Sequence, residues 1–400
     1  MLTPRGRVVL GLGFGVYLAA WAFGSKPLYP VAVGLLLVVA TAWVWVRLAN
    51  RPFKVTRGWG DREQLEGDDA PVVVELRATA KMLPASATLV ERVGRLGEQR
   101  HPLRRRGRRL GVRYVLARLP RGRYVFEDVR VELADPFGLE NVEIPLPAPG
   151  ALLVYPRLVR LDRLFSERGA HSQDGRRLLL RRHSGFELHG VREYEQGESL
   201  RRVHWRSTAR RGQLMVKELE DAPRDEIAVL LDADASAVVG ESFEVQVRAA
   251  GSILDSYARR GRRVVLVVSS ERRGVQQVHS AAADWRRALE LLAAAEPTGR
   301  APLGRVLREQ HGPATRALEL AVVTARLEPA LVDILVQRAL SRRSVSLVYV
   351  DPASFNGADR RPQPLLLRVQ RAGIPVAVVR DGDDLASCLG GALIADVAHG

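Results

Sequence analysis

The chain has 400 residues, of which 46% are hydrophobic, and it carries a formal net charge of +16. This length predicts two or three domains, and the single cysteine, Cys388, excludes an intramolecular disulfide framework and a cysteine-based zinc cluster. The positive charge favours an acidic partner such as nucleic acid, anionic lipid or an acidic protein surface. Arginine far outnumbers lysine, so composition bias accounts for part of that charge.

Two apolar stretches open the chain. Residues 8–23 contain no charge, and residues 28–46 follow after a short connector that contains Lys26. A helix of the second length would span a hydrocarbon core of roughly 30 Å, so we predict two transmembrane helices. A cleaved signal peptide, with Arg5 and Arg7 as its basic region, and buried helices of a soluble protein are the alternatives.

Basic residues flank this hairpin on both sides, whereas the connector has one. They are Arg5 and Arg7 before it, and Arg47, Arg51, Lys54 and Arg57 after it. The positive-inside rule therefore predicts a multi-pass protein of the cell membrane with both termini in the cytoplasm. A single cysteine agrees with that reducing compartment.

Residues 51–160 alternate with period two, which predicts a small β-sandwich. The expected inward faces are Val72, Val74, Leu76 and Ala78 in one strand, and Val125, Val129, Val131 and Leu133 in another. Residues 135–139 (DPFGL) predict a turn with a buried aromatic side chain. A basic run at residues 100–113 predicts a solvated loop; contact with anionic lipid headgroups is the second interpretation, and nucleic-acid binding is the third.

Residues 183–221 are polar and rich in Arg, Glu, His and Trp, with no apolar period. Their pattern resembles the signature of the domain of unknown function 58 family, and the DPFGL turn also occurs in that family. The residues that carry the resemblance are Gly190, Arg192, Tyr194, Gly197, Glu198, Arg202, His204, Trp205, Thr208 and Arg210.

Three roles are open for this signature segment. An ion-pair network that joins two domains, with Tyr194 and Trp205 as plugs, is favoured. An anion- or peptide-binding surface of arginine forks comes second. Catalysis by His204 or His183 comes last, because no nucleophile with a base partner stands at a suitable spacing.

From residue 226 onward, short apolar runs alternate with helical patterns, which predicts a doubly wound, mostly parallel α/β sheet. The predicted strands cover residues 227–231, 264–268, 275–278, 318–323, 345–350 and 376–379. The predicted helices cover residues 241–260, 284–295, 303–310, 328–340 and 364–372. The predicted domains are therefore residues 1–50, 51–160, 161–225 and 226–400.

The first of these strands ends in Asp232-Ala-Asp234-Ala-Ser236, which resembles the metal-ion-dependent adhesion site of von Willebrand factor A domains. The resemblance implies Mg²⁺ held by Asp232, Asp234, Ser236 and a threonine on a second loop, for which Thr298 is the candidate. The third loop has Arg326 where an aspartate is expected. A metal-free site is the alternative, with Arg326 paired to Asp232 or Asp234.

No phosphate-binding loop, metallopeptidase motif or dinucleotide fingerprint is present in the sequence. The family resemblance implies a membrane-anchored, non-enzymatic adaptor that works with a MoxR-type AAA ATPase and other membrane proteins in envelope maintenance or complex assembly. Two alternatives stay open: a metal-dependent enzyme or maturation factor that uses the Asp232 site, and a basic protein that binds anionic lipid or nucleic acid.

Overall fold

The computed structural model describes residues 1–50, 52–59, 63–78, 86–107, 109–147, 150–167, 187–194, 203–220, 227–279, 283–308, 312–341, 343–358 and 363–390. The chain divides into two compact units, Met1–Tyr155 and Pro156–Gly400. Each unit has hydrophobic clusters of its own.

Two helices begin the first unit, α1 (Pro4–Ala22) and α2 (Leu28–Ala49). They pack closely, since an added Cβ at Gly13 would lie 3.1 Å from the side chain of Leu36. Among the described helices, α2 alone is long and apolar enough to cross a membrane. The α1 helix contains two arginines and four glycines, which lower its mean hydropathy. The second membrane crossing therefore stays a prediction.

In the described residues of the first unit, ten strands follow and form two sheets. They are β1 (Phe53–Trp59), β2 (Gln64–Leu65), β3 (Ala70–Ala78), β4 (Ser86–Val93), β5 (Glu98–Pro102), β6 (Arg104–Arg106), β7 (Arg109–Leu116), β8 (Gly122–Ala134), β9 (Asn141–Pro145) and β10 (Gly150–Tyr155). The strand orders are β1-β3-β7-β6 and β2-β10-β8-β4-β5, with β9 paired to β8. Side chains of both sheets, such as Val74 and Val131, share one core, as expected for a sandwich.

The basic run at residues 100–113 is mostly strand. Its residues form β5, β6 and β7, so the predicted loop is wrong. Part of the charge is paired, because Arg100 contacts Glu98 and Glu132, and Arg109 lies 3.4 Å from Glu75. All three arginines of β6 are exposed, whereas β7 alternates exposed arginines with the buried Leu110 and Tyr114.

The β8 strand changes its inward face part-way along. Its pairing with β4 shifts register, and Asp128 has a φ of 48°. Tyr124 and Phe126 therefore enter the core together with Val129. The prediction that Val125 shares the inward face with Val129 is wrong, because an extra residue at a β-bulge reverses the alternation.

The second unit contains a hairpin and a six-stranded sheet. The hairpin consists of β11 (Glu187–Glu193), α3 (Trp205–Arg211) and β12 (Met215–Glu220). The sheet strands are β13 (Ile227–Leu231), β14 (Val264–Val268), β15 (Gly274–Val278), β16 (Glu319–Thr324), β17 (Ser344–Val350) and β18 (Val376–Val379). The helices are α4 (Ser242–Arg259), α5 (Ala283–Ala294), α6 (Leu303–Arg308), α7 (Pro313–Arg316), α8 (Pro329–Leu340), α9 (Pro364–Arg371) and α10 (Leu385–Gly390).

The sheet has the order β15-β14-β13-β16-β17-β18, and every strand is parallel to its neighbour except β15 at the edge. Alternate residues of β13 enter two different clusters: Ile227 packs with α4 residues such as Val247, and Leu230 packs with α8 residues such as Leu335. Helices therefore cover both faces. The winding reverses between β13 and β16, which is where such sheets bind ligands.

Candidate functional site

The carboxyl ends of β13 and β16 bring Asp232 and Thr324 together. The register pairs Leu231 with Val323, so the next residue of each strand lies opposite the other. The Thr324 hydroxyl donates to Oδ2 of Asp232 over 2.6 Å. Asp232 is 4% exposed and Thr324 is 0% exposed, so this hydrogen bond is shielded from water.

A third strand end supplies Ser269, which follows β14. Its hydroxyl accepts from the Ala233 backbone N–H at 3.0 Å and lies 3.3 Å from Oδ1 of Asp232. The backbone N–H of Asp234 also donates to that oxygen, over 3.2 Å. Both carboxylate oxygens of Asp232 are therefore held by donors from the sheet edge, as a buried acid requires.

Burial has the largest effect on the pKa of Asp232. Removal from water raises the pKa of Asp232, and the hydrogen bonds from Thr324, from the Asp234 backbone and from Ser269 oppose that rise. The negative charge of Asp234 raises the same pKa further. The site therefore holds a carboxyl group that binds its proton more tightly than an ordinary aspartate.

Asp234 organises the outer part of the site. Its Oδ1 accepts from the backbone N–H and the hydroxyl of Ser236, at 2.9 and 2.8 Å. Its Oδ2 accepts from Nη1 of Arg326 at 3.1 Å, and the same nitrogen lies 2.7 Å from the Ser236 hydroxyl. Arg326 also pairs with Glu328 through Nε, over 3.1 Å. Of the two pairings considered from the sequence, Arg326 with Asp234 is the one present.

The loop that carries Thr298 closes the side of the site. Gly299 bridges to Asp234, and its N–H donates to the Ala233 carbonyl over 2.7 Å. A Cβ at Gly299 would lie 2.5 Å from the Ser269 carbonyl oxygen, so only glycine fits. Thr298 is exposed, and its hydroxyl accepts from the Glu271 N–H at 3.3 Å. The threonine that contacts Asp232 is Thr324.

These residues do not fit a divalent cation while Arg326 is in place. Among the described residues, no group of three His, Cys, Asp or Glu side chains could hold a metal ion. Mg²⁺ prefers six oxygen ligands in near-octahedral geometry. Here the guanidinium already occupies an oxygen of Asp234 and the hydroxyl of Ser236, and its charge would repel a cation bound to the same atoms.

The described part of the signature segment, residues 187–194 and 203–220, forms a hairpin. Its strands β11 and β12 pair antiparallel, with Gly190 opposite Glu218 and Arg192 opposite Val216. The Tyr194 N–H donates to the Leu214 carbonyl over 2.9 Å.

Two signature residues of α3 hold that helix against β12. The His204 N–H donates to the Met215 carbonyl over 2.7 Å. The Thr208 hydroxyl accepts from the Met215 N–H over 3.0 Å. His204 caps α3, since its Nδ1 accepts from the Ser207 backbone N–H at 3.3 Å. These contacts give His204 and Thr208 a structural role.

Other signature residues face solvent. Trp205, the first residue of α3, is 66% exposed, so it is not part of the core of its own unit; its role as a plug between domains stays a prediction. Arg210 is exposed as well. Gly197, Glu198 and Arg202 lie outside the described residues.

Comparison with known proteins supports the family resemblance. Residues 190–354 match the family described as "Protein of unknown function DUF58". The match covers the signature hairpin and the Asp232 site. A relative, "Uncharacterized protein YeaD" of Bacillus subtilis (strain 168), is 28% identical over 278 residues, which are 69% of this chain and 67% of that protein.

The similarity of this chain to one solved structure is too weak to indicate its fold. Cwp6 from Clostridium difficile aligns with 82% of this chain at 6% identity and a TM-score of 0.15. The chain spans 37% of the length of Cwp6.

Proposed function

We propose that this protein is a membrane-anchored, non-enzymatic docking protein. The helices α1 and α2 would cross the cell membrane with both termini in the cytoplasm. The α/β unit would bind a protein partner through the sheet edge that holds Asp232, Thr324 and Arg326. One observation carries this proposal: Arg326 forms an ion pair with Asp234 at the sheet edge, next to the buried hydrogen bond between Thr324 and Asp232.

The α/β unit is proposed to be a von Willebrand factor A-like module. Counted from β13, its strand order is 3-2-1-4-5-6, with the third strand antiparallel at the edge. The sequence Asp232-Ala-Asp234-Ala-Ser236 follows the first strand, beside the reversal of winding. The position of this motif after the first strand of a doubly wound sheet supports the assignment, because the adhesion site that it resembles lies at the carboxyl ends of such strands.

The chemistry of the edge favours a partner with an exposed carboxylate. Arg326 is half-exposed and fixed by Asp234 and Glu328, so its guanidinium is preorganised. The Nη2 group of Arg326, which takes no part in these two pairings, would donate a charge-assisted hydrogen bond to the carboxylate of the partner. In von Willebrand factor A modules, a metal ion serves that purpose, and here Arg326 would replace it. The family resemblance proposes a MoxR-type AAA ATPase as the partner.

Catalysis has less support than docking. The carboxylates of Asp232 and Asp234 are engaged by internal donors, and His204 caps a helix. A metal-dependent enzyme or maturation factor would need Arg326 to leave Asp234.

A binary binding assay tests this function. The full-length protein in detergent is immobilised and exposed to the purified MoxR-type ATPase from the same cell. Arg326→Ala should lose retention of the ATPase, because the guanidinium is removed. Arg287→Ala, which removes an exposed arginine of α5, is the matched control and should retain it. Equal retention by both variants would exclude Arg326 from the docking surface.

A further inference from the structure

The turn between β8 and β9 contacts the two N-terminal helices directly. The Thr3 N–H donates to the Leu139 carbonyl over 2.9 Å. Leu139 is buried and packs in one cluster with Val39 and Ala42 of α2. A Cβ at Gly6 would lie 2.1 Å from the Leu139 carbonyl oxygen, so the backbone of α1 touches the turn. The DPFGL sequence thus forms a contact between the β-sheets and the helix pair.

This turn is rigid and presents an aromatic ring to the outside. The buried Asp135 carboxylate accepts from the N–H of Phe137 at 2.7 Å and from the N–H of Glu140 at 2.6 Å. Gly138 has a φ of 67°, which glycine adopts without strain. Phe137 is 60% exposed, whereas the sequence predicts a buried aromatic here. That prediction is wrong, because the turn leaves the phenylalanine ring largely accessible.

The turn packs on α2 about one to two helical turns before Arg47, where the apolar part of the helix ends. Ala42 precedes Arg47 by about 7.5 Å along the helix axis. Trp43 is exposed, and the Arg47 guanidinium lies 4.7 Å from the centre of its ring. Exposed Arg5 and Arg7 begin α1 beside the turn. Tryptophan and arginine at a helix end are typical of the layer between lipid headgroups and acyl chains.

We propose that Phe137 inserts into this interfacial layer of the bilayer on the cytoplasmic side. The inference rests on the proposed membrane anchoring by α1 and α2. The exposed ring lies two residues before Leu139, which packs in the helix cluster, and the turn contacts the start of α1 next to Arg5 and Arg7. Because Asp135 already fixes the turn, insertion would order few additional groups. The inserted turn would then fix the position of the first unit relative to the membrane surface.

The experiment uses the full chain with Cys388→Ala, so that a single new cysteine can carry an environment-sensitive fluorophore. Three labelled variants are compared: Phe137→Cys, Leu37→Cys and Val115→Cys. Leu37 lies within α2 and is 58% exposed, and Val115 lies on β7 and is 54% exposed. Each is reconstituted in phosphatidylcholine–phosphatidylglycerol vesicles that contain nitroxide-labelled lipids. Circular dichroism and the thermal midpoint of each variant establish that it is folded.

Labels at positions 37 and 137 should be quenched by the nitroxide lipids, with position 37 quenched best by a deep nitroxide and position 137 by a shallow one. The label at position 115 should be quenched by aqueous iodide alone. If position 37 is quenched and position 137 behaves like position 115, insertion of Phe137 is overturned while anchoring stands. If position 37 is not quenched, the anchoring itself fails, and the inference fails with it.

Discussion

Thr324 donates its hydroxyl hydrogen to Asp232 over 2.6 Å, across the point where the sheet reverses its winding. This contact joins two strands that are separated by 92 positions in the chain. The contact fixes a buried carboxyl group at the edge of the sheet. The backbone N–H of Asp234 donates to the same carboxyl group, and Arg326 pairs with the Asp234 side chain.

Thr324→Val should destabilise the α/β unit by about 1–3 kcal/mol, because the buried Asp232 loses a donor while the volume is kept. Thr324→Ser retains the hydroxyl and should cost less. Urea unfolding followed by circular dichroism measures both variants. A loss for Thr324→Val that is no larger than the loss for Thr324→Ser would contradict a stabilising role of the hydroxyl.

The raised pKa of Asp232 predicts a pH dependence. Since the folded state binds this proton more tightly than the unfolded chain, where the pKa is about 3.9, the stability linked to Asp232 is full below that value. It is lost as pH rises through the folded pKa. The difference in free energy of unfolding between wild type and Asp232→Asn should therefore fall over this range. A difference that stays flat contradicts the raised pKa.

A buried ion pair in the β-sandwich gives a test with an internal control. Glu91 is fully buried, and it accepts from Arg57 and from the Tyr114 hydroxyl. Arg57→Met should cost about 3–5 kcal/mol, because it leaves a buried charge without its partner. The exposed pair Arg109–Glu75 serves as the control, and Arg109→Met should cost at most about 1 kcal/mol. Thermal unfolding of full-length variants compares the two, and similar losses would contradict the account.

Divalent cations should leave the wild-type thermal midpoint unchanged. A ligand that binds only the folded state raises stability with its concentration, and the Arg326 guanidinium opposes such binding at Asp234 and Ser236. Differential scanning fluorimetry with millimolar Mg²⁺ or Mn²⁺ measures this. A thermal midpoint that rises in wild type and not in Asp232→Ala would show that this site binds a divalent cation.

Much of the α/β unit could be predicted because buried parallel strands are continuous apolar runs. Residues 227–231 and 264–268 were predicted as strands and have those bounds in the structure. The position of Asp232 at the sheet edge followed from the same pattern. The single-turn helix α7 is too short for a helical period to be detected.

The partners of Asp232 could not be predicted in the same way. Ser269 and Thr324 are ordinary hydroxyl residues after apolar strands, and only the strand order and register bring them together. The inward face of β8 was mispredicted at Val125, because a bulge leaves no apolar signal in the sequence. The exposed positions of Phe137 and Trp205 run against the general preference of aromatic residues for burial.

We propose that Arg326 presents the docking charge. A titration of the purified MoxR-type ATPase against the full-length protein in nanodiscs measures its contribution to the Kd. The account predicts that Arg326→Glu weakens the Kd at least tenfold, or about 1.4 kcal/mol, while Arg287→Glu leaves the Kd unchanged. Equal Kd values for wild type and Arg326→Glu would contradict the claim.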